Sequence, residues 1–172
     1  MAERPDLDYA VPILRRELAG RAITAVTVKK PVVLRLALPG SPAQLLVGRR
    51  FEEVTRRAHF VIFALGGGEP PVDLIVAPML AGRFALAAPG DRVPGDLALS
   101  LSLGGDLELR YRDDVQMGKV YVVAQGERAS VPGLGRTGVD VMDPEAFTLE
   151  RFREIARGRR DQAKVFLMDK SA

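Results

Sequence analysis

The chain has 172 residues, 47% of them hydrophobic, enough for one domain with a real core, or one domain plus a fragment of another. It has no cysteine, which excludes a disulfide framework and a cysteine zinc site within these residues and leaves the cytoplasm as the default compartment. The formal charge of +3, from 25 Lys and Arg against 22 Asp and Glu, is compatible with a polyanionic partner without requiring one, and no apolar run is long enough to span a membrane.

The N-terminus, Met1-Ala2-Glu3-Arg4-Pro5-Asp6, is not a signal peptide. A small second residue permits removal of Met1, which exposes the α-amine of Ala2 beside the carboxylate of Glu3. An α-amine, with an ordinary pKa of roughly 8, is partly unprotonated near neutral pH. It can then attack an electrophilic carbon to form a Schiff base, and a neighbouring carboxylate can shuttle protons. The alternative is a frayed terminus without a role.

Residues 7–19 carry Leu7, Val11, Leu14 and Leu18 at helical spacing, with Gly20 as the stop. Pro12 is expected to kink this helix or confine its regular part to one side. Segments 21–28 and 32–38 alternate and read as strands, and 43–47 is a third candidate strand. Residues 51–65 read as two strands broken near Arg57-Ala58, followed by a Gly- and Pro-rich loop. Strands are expected at 72–78 and 84–87, with a turn from Met79 to Arg83 between them. Those at 97–103 and 107–112 are joined by the hairpin Gly104-Gly105-Asp106, and a loop from Asp113 to Gly118 leads to a last strand at 119–124. The Gly- and Pro-rich stretch from 125 to 144 reads as a linker. Thr148 can cap a helix at 149–157 that stops at Gly158, and another helix begins near 161.

This pattern predicts a mainly β (α+β) fold, an antiparallel β-sandwich or barrel flanked by helices. The divisions are a sandwich at 1–125, a linker at 126–146 and C-terminal helices at 147–172. The last helix runs to the end of the chain without a stop signal, so the chain reads as the first part of something longer.

Six segments carry a resemblance: MAERPDL at the start, Gly20, GRRFEEVTRRAHFVIFAL (48–65), LIVAPMLAGRF (74–84), LELRYRDDVQMGKVYV (107–122) and DPEAFTLERFREIARGRRDQAKVFLMDKSA (143–172). In order and spacing they resemble the formamidopyrimidine-DNA glycosylase / endonuclease VIII family of base-excision repair enzymes. The resemblance implies a two-sheet antiparallel β-sandwich with a long N-terminal helix, followed by the first helices of a helix-two-turn-helix region. It implies double-stranded DNA with a damaged base or abasic site as partner, and no membrane. No cofactor is expected in this chain, because the family's zinc finger would lie in a C-terminal part beyond it.

Residue by residue, the resemblance is uneven. Ala2 stands where the family has a proline nucleophile, and Glu3 matches its catalytic glutamate. Pro5 matches, and Asp6 keeps the charge of a second glutamate, or is an ordinary acid at a helix start. His59 stands where the family has a phosphate-contacting lysine, and Leu80 where it inserts a methionine into the gap left by the flipped base. Val115 and Gln116 replace loop arginines that fill the void, and Met117 replaces an apolar wedge residue. Arg56, Arg57, Arg83, Arg110 and Arg112 are candidates for phosphate contact, or are ordinary surface arginines; Arg157, Arg159 and Arg160 are a solvated helix end, or border the DNA groove at the domain junction. The function implied is a base-excision DNA glycosylase / AP lyase working through an N-terminal amine. The alternatives are a relative that binds DNA without catalysis, motivated by the changed nucleophile, lysine and arginines, and a sandwich used for protein contacts.

Overall fold

The first helix, α1 (Arg4–Leu18), begins three residues before its apolar pattern does. Pro5 sits in the first turn, where its missing N–H would have had no partner anyway. Glu3 is the N-cap, and its backbone N–H donates to the Asp6 carboxylate at 2.8 Å. Leu7, Val11, Leu14 and Leu18 form the buried stripe that their spacing predicts. Pro12 does not divide the helix. It lies on the exposed face of a continuous run, and the bond it omits is to the carbonyl of Asp8, a residue open to solvent. Gly20, at φ 70°, turns the chain away, and its N–H donates to the Phe51 carbonyl at 2.9 Å.

Residues 3–169 are described by the computed structural model, which contains two compact units, Met1–Arg128 and Ala129–Ala172. Among the described residues the first unit holds nine strands: β1 (Ile23–Val28), β2 (Leu34–Leu36), β3 (Arg50–Arg57), β4 (Phe60–Gly66), β5 (Val72–Ala77), β6 (Arg83–Ala87), β7 (Leu97–Leu103), β8 (Leu107–Arg112) and β9 (Lys119–Ala124). They form a four-stranded sheet in the order β1-β7-β8-β6 and a five-stranded sheet in the order β2-β9-β5-β4-β3. The break expected near Arg57-Ala58 is the β3–β4 turn, with Ala58 at φ 50°.

Pairing is antiparallel except at one edge, where β2 runs parallel to β9. The short β2 arrives from the other sheet through the turn Pro31–Val33, and more than 80 residues separate it from β9, so a parallel partner is topologically free. Alternate residues of both sheets meet in one core with the α1 stripe. Through it runs an aromatic file, Phe51–Phe63–Phe84–Tyr111, with centroid spacings of 5.8, 5.8 and 5.7 Å.

Residues 43–47 are not a strand. Pro42–Leu46 form a short helix, α2. Ser41 Oγ accepts from the Gln44 N–H at 3.2 Å, and Gln44 Oε1 accepts from the Ser41 N–H at 2.7 Å. This reciprocal capping box, with Pro42 at the first helical position, outweighs the apolar run behind it. Ser41→Ala is expected to lower stability by about 1 kcal/mol, read by urea denaturation of the purified protein.

In the second unit Val131 and Leu134 are buried. Thr148 Oγ1 accepts from the Arg151 N–H at 3.1 Å and caps α3 (Leu149–Ala156). A last helix, α4 (Ala163–Leu167), places Phe166 against Phe152, with centroids 5.8 Å apart, and Arg159 lies over the Phe166 ring at 5.3 Å.

Candidate functional site

Strand order, register and the packing of α1 gather four segments at one end of the sandwich. β5 leaves the five-stranded sheet through the turn Pro78–Gly82 and enters the four-stranded sheet as β6, while β8 makes the reverse passage through residues 113–118 to β9. The pairings Ala77↔Lys119 and Arg83↔Arg112 set these two crossovers side by side. The β3–β4 turn lies at the same end, because Val61 pairs with Val76. Helix α1 lies antiparallel to β3: Arg15 Nε donates to the Val54 carbonyl at 2.9 Å, and Arg56 Nε to the Asp8 carboxylate at 2.7 Å. Glu3 at its start therefore comes to this end as well.

Ala2 lies outside the described residues. Glu3 is exposed at the N-cap, and Asp6 acts as the acid of the helix start through its bond to the Glu3 N–H. His59 is half-buried, its ring 4.1 Å from that of Phe60. Arg57, Arg83 and Gln116 are exposed. On the two crossovers Leu80, Val115 and Met117 stand in solvent at 50%, 51% and 45% exposure. Three large apolar side chains held out in water on adjacent loops form a surface suited to insertion into an apolar environment.

The arginines divide. Arg110 is 3% exposed, and its guanidinium donates to Glu108 at 2.8 Å and to the carbonyls of Arg92, Ala88 and Asp91 at 3.2, 3.4 and 3.2 Å. It is a strut that holds the 88–96 loop over the outer face of the four-stranded sheet, not a surface cation. Arg112 makes a two-pronged pair with Asp96, at 2.8 and 3.0 Å. Arg83 stands opposite Arg112 across the sheet, a like-charge pairing that the Asp96 carboxylate offsets. The hydrogen bond from Arg112 holds the Asp96 carboxyl below its ordinary value against the opposing effect of desolvation. Stability from this pair is therefore present at neutral pH and lost as pH falls below about 4, through the lowered folded-state value. Asp96→Asn should flatten that part of an acid-denaturation curve. Arg159 pairs with Asp161 and Asp169 inside the second unit.

Sequence reasoning missed the residues that shape the crossovers. Asp113 is fully buried, and its two oxygens accept from the N–H groups of Gln116 at 2.9 Å and Gly118 at 2.8 Å. The Lys30 ammonium donates to the Asp113 carbonyl at 2.8 Å. A Cβ on Gly118 or on Gly82 would overlap the Tyr111 hydroxyl. The available signal was two glycines, in AGRF and QMGK, each bordering a strand. Among the described residues no group of three His, Cys, Asp or Glu is placed to hold a metal, and no helix is long and apolar enough to cross a membrane.

Comparison with known proteins agrees with this architecture. A formamidopyrimidine-DNA glycosylase of Heliobacterium modesticaldum is 32% identical over 181 aligned residues, covering 99% of this chain and 61% of its own length. That of Brevibacillus brevis is 28% identical, covering 98% of this chain and 60% of its own. The chain thus spans about three-fifths of the length of these curated relatives. The fold matches that of the Lactococcus lactis formamidopyrimidine-DNA glycosylase, solved non-covalently bound to DNA containing an AP site, with a TM-score of 0.84 at 20% identity over 98% of this chain and 63% of that one. The family model of the formamidopyrimidine-DNA glycosylase N-terminal domain matches residues 1–120, and the chain belongs to that family.

Proposed function

We propose that the intact protein is a base-excision DNA glycosylase with AP lyase activity, acting in the cytoplasm on double-stranded DNA that carries a damaged base or an abasic site. The observation that carries this reading is the convergence of the α1 start, the β3–β4 turn and the two crossovers on one end of a sandwich in this family. The target nucleotide leaves the stack, and Leu80 and Met117 occupy the gap as apolar wedges. The lone pair of the Ala2 amine forms a bond to C1′ while the bond from C1′ to the base breaks and the base departs with a proton. Glu3 handles the proton at the deoxyribose ring as it opens to the Schiff base. Loss of a C2′ proton then expels the 3′ phosphate and cuts the strand. Arg57 and Arg83, with His59 in the lysine position, face the backbone phosphates, while Arg112 stays paired with Asp96. Val115 and Gln116 bring no cation to the gap, so recognition there rests on shape.

The test is borohydride trapping on a duplex with one abasic site, with intact mass spectrometry confirming that Met1 is absent. A covalent adduct mapped to Ala2 is the expected result. No adduct, with salt-dependent duplex binding retained, would replace this reading by that of a DNA-binding relative without the chemistry. No DNA binding at any salt would leave a domain for protein contacts.

A further inference from the structure

The proposed insertion needs Leu80 and Met117 to stay erect. Unstacking a base step costs a few kcal/mol, and a loop that yields instead of the DNA transmits none of that force. Apolar side chains in water also favour lying down on the protein surface. Something must hold the two crossovers up, and the structure shows a side-chain contact point common to both.

That point is the hydroxyl of Tyr111. The residue is 2% exposed, its ring belongs to the core, and its oxygen reaches the end of the sandwich where the crossovers lie side by side. The oxygen occupies the volume that a side chain at either Gly82 or Gly118 would fill. Gly82 is fixed on its own loop by its N–H bond to the Pro78 carbonyl at 2.8 Å. Gly118 is fixed on the other by its N–H bond to Asp113. The buried hydroxyl makes no hydrogen bond of good geometry, and its weak contact with the Asp113 carboxylate leaves it poorly satisfied, a costly state for a polar group that a phenylalanine in the core position would not carry. Burial first, and the nearby Asp113 charge second, push the phenol well above its ordinary titration range, so the oxygen stays protonated and uncharged.

We infer that Tyr111 and Asp113 form a brace that locks the Pro78–Gly82 and 113–118 crossovers into one rigid unit and so positions Leu80 and Met117 for insertion into damaged duplex. Tyr111 is a positioning residue: its oxygen spaces the two loops, and Asp113 tensions the second from within. This inference rests on the functional reading above.

The experiment uses the intact protein, wild type and Tyr111→Phe, in three measurements: thermal stability, amide exchange at Gln116 and Gly118, and affinity for an abasic duplex relative to an undamaged duplex of the same length. Removing the oxygen also removes a poorly satisfied polar group, so the melting temperature should hold within a few degrees. Exchange at the two amides should accelerate at least 10-fold. The abasic preference should fall about 10-fold, while undamaged-duplex affinity and its salt slope, which report phosphate contacts, stay unchanged. A purely structural role would leave the preference intact or lower both affinities together, and either outcome overturns the brace. If wild type itself shows no abasic preference, the functional reading fails and this inference with it. If wild type shows it and Tyr111→Phe keeps it, only the brace fails. Should Tyr111→Phe not fold, Asp113→Asn makes the same test, because it takes away one of the two loop acceptors and must also lower the preference.

Discussion

Glu3→Gln in the intact, Met-processed protein will lower base release about 10²–10⁴-fold, the range that a positioned general acid or base contributes. The substitution is nearly isosteric, and the geometry predicts little else will change. Glu3 is exposed at the N-cap, the bond from its backbone N–H to Asp6 is untouched, and glutamine keeps an acceptor oxygen for the side-chain half of the capping box. Duplex affinity should therefore stay within a few-fold of wild type. Trapping on a preformed abasic site should fall less than base release, because the base has already left. Single-turnover kinetics on a damaged-base duplex, set beside binding isotherms, separate these quantities. Equal losses of binding and turnover would place Glu3 in the helix start alone.

The largest stability effect is expected at Arg128→Ala, a loss of about 3 kcal/mol. Asp73 stands mid-sheet between Ala64 of β4 and Val123 of β9, with no exposed surface. Its two carboxylate oxygens accept from Arg128 Nε at 2.5 Å and Nη2 at 2.9 Å. Removing the arginine leaves a buried carboxylate with water on one side only. The Arg128 side chain is itself 43% exposed, which keeps the loss at the lower end of the range for broken buried pairs. A drop of roughly 6–12 °C in melting temperature should accompany it. The double replacement Asp73→Leu with Arg128→Met should restore most of the loss, because it removes the stranded charge and keeps the volume. A double variant as unstable as Arg128→Ala would show that packing around Asp73, not its charge, is what Arg128 protects.

The sandwich was legible because its strands alternate and its turns announce themselves. Leu99, Leu101 and Leu103 point inward as their spacing requires, and the Arg57-Ala58 break is a turn. The error at 43–47 came from weighing the apolar run Leu45-Leu46-Val47 above the Ser-Pro-Ala-Gln signal in front of it, although capping chemistry is local and readable. The parallel edge at β2 was not readable, since pairing direction depends on where a three-residue segment lands after changing sheets.

The candidate site was legible in its order along the chain and not in its roles. Arg110 and Arg112 alternate onto one face, yet one is a buried strut and the other is tied to Asp96. The difference is made by the 88–96 loop folding over Arg110, a tertiary event with no local signal. Tyr111 and Asp113 look like ordinary strand-end residues until the two sheets are brought together, because their partners Gly82 and Gly118 belong to different crossovers.

Both crossovers start in one sheet and finish in the other, and this sets when the site can exist. Neither loop closes on its own hairpin. Leu80 and Met117 can be placed only after β5 has met β9 and β6 has met β8, contacts between residues dozens of positions apart. Such pairings form late, because the entropy of closing the intervening chain must be overcome first. On the proposed function, a molecule with half its strands assembled would present no wedge and bind damaged duplex no better than any basic surface. Lesion-selective binding would then be an all-or-none gauge of the folded state, and during refolding it should rise together with the slowest tertiary signal, not with the far-ultraviolet signal of the strands.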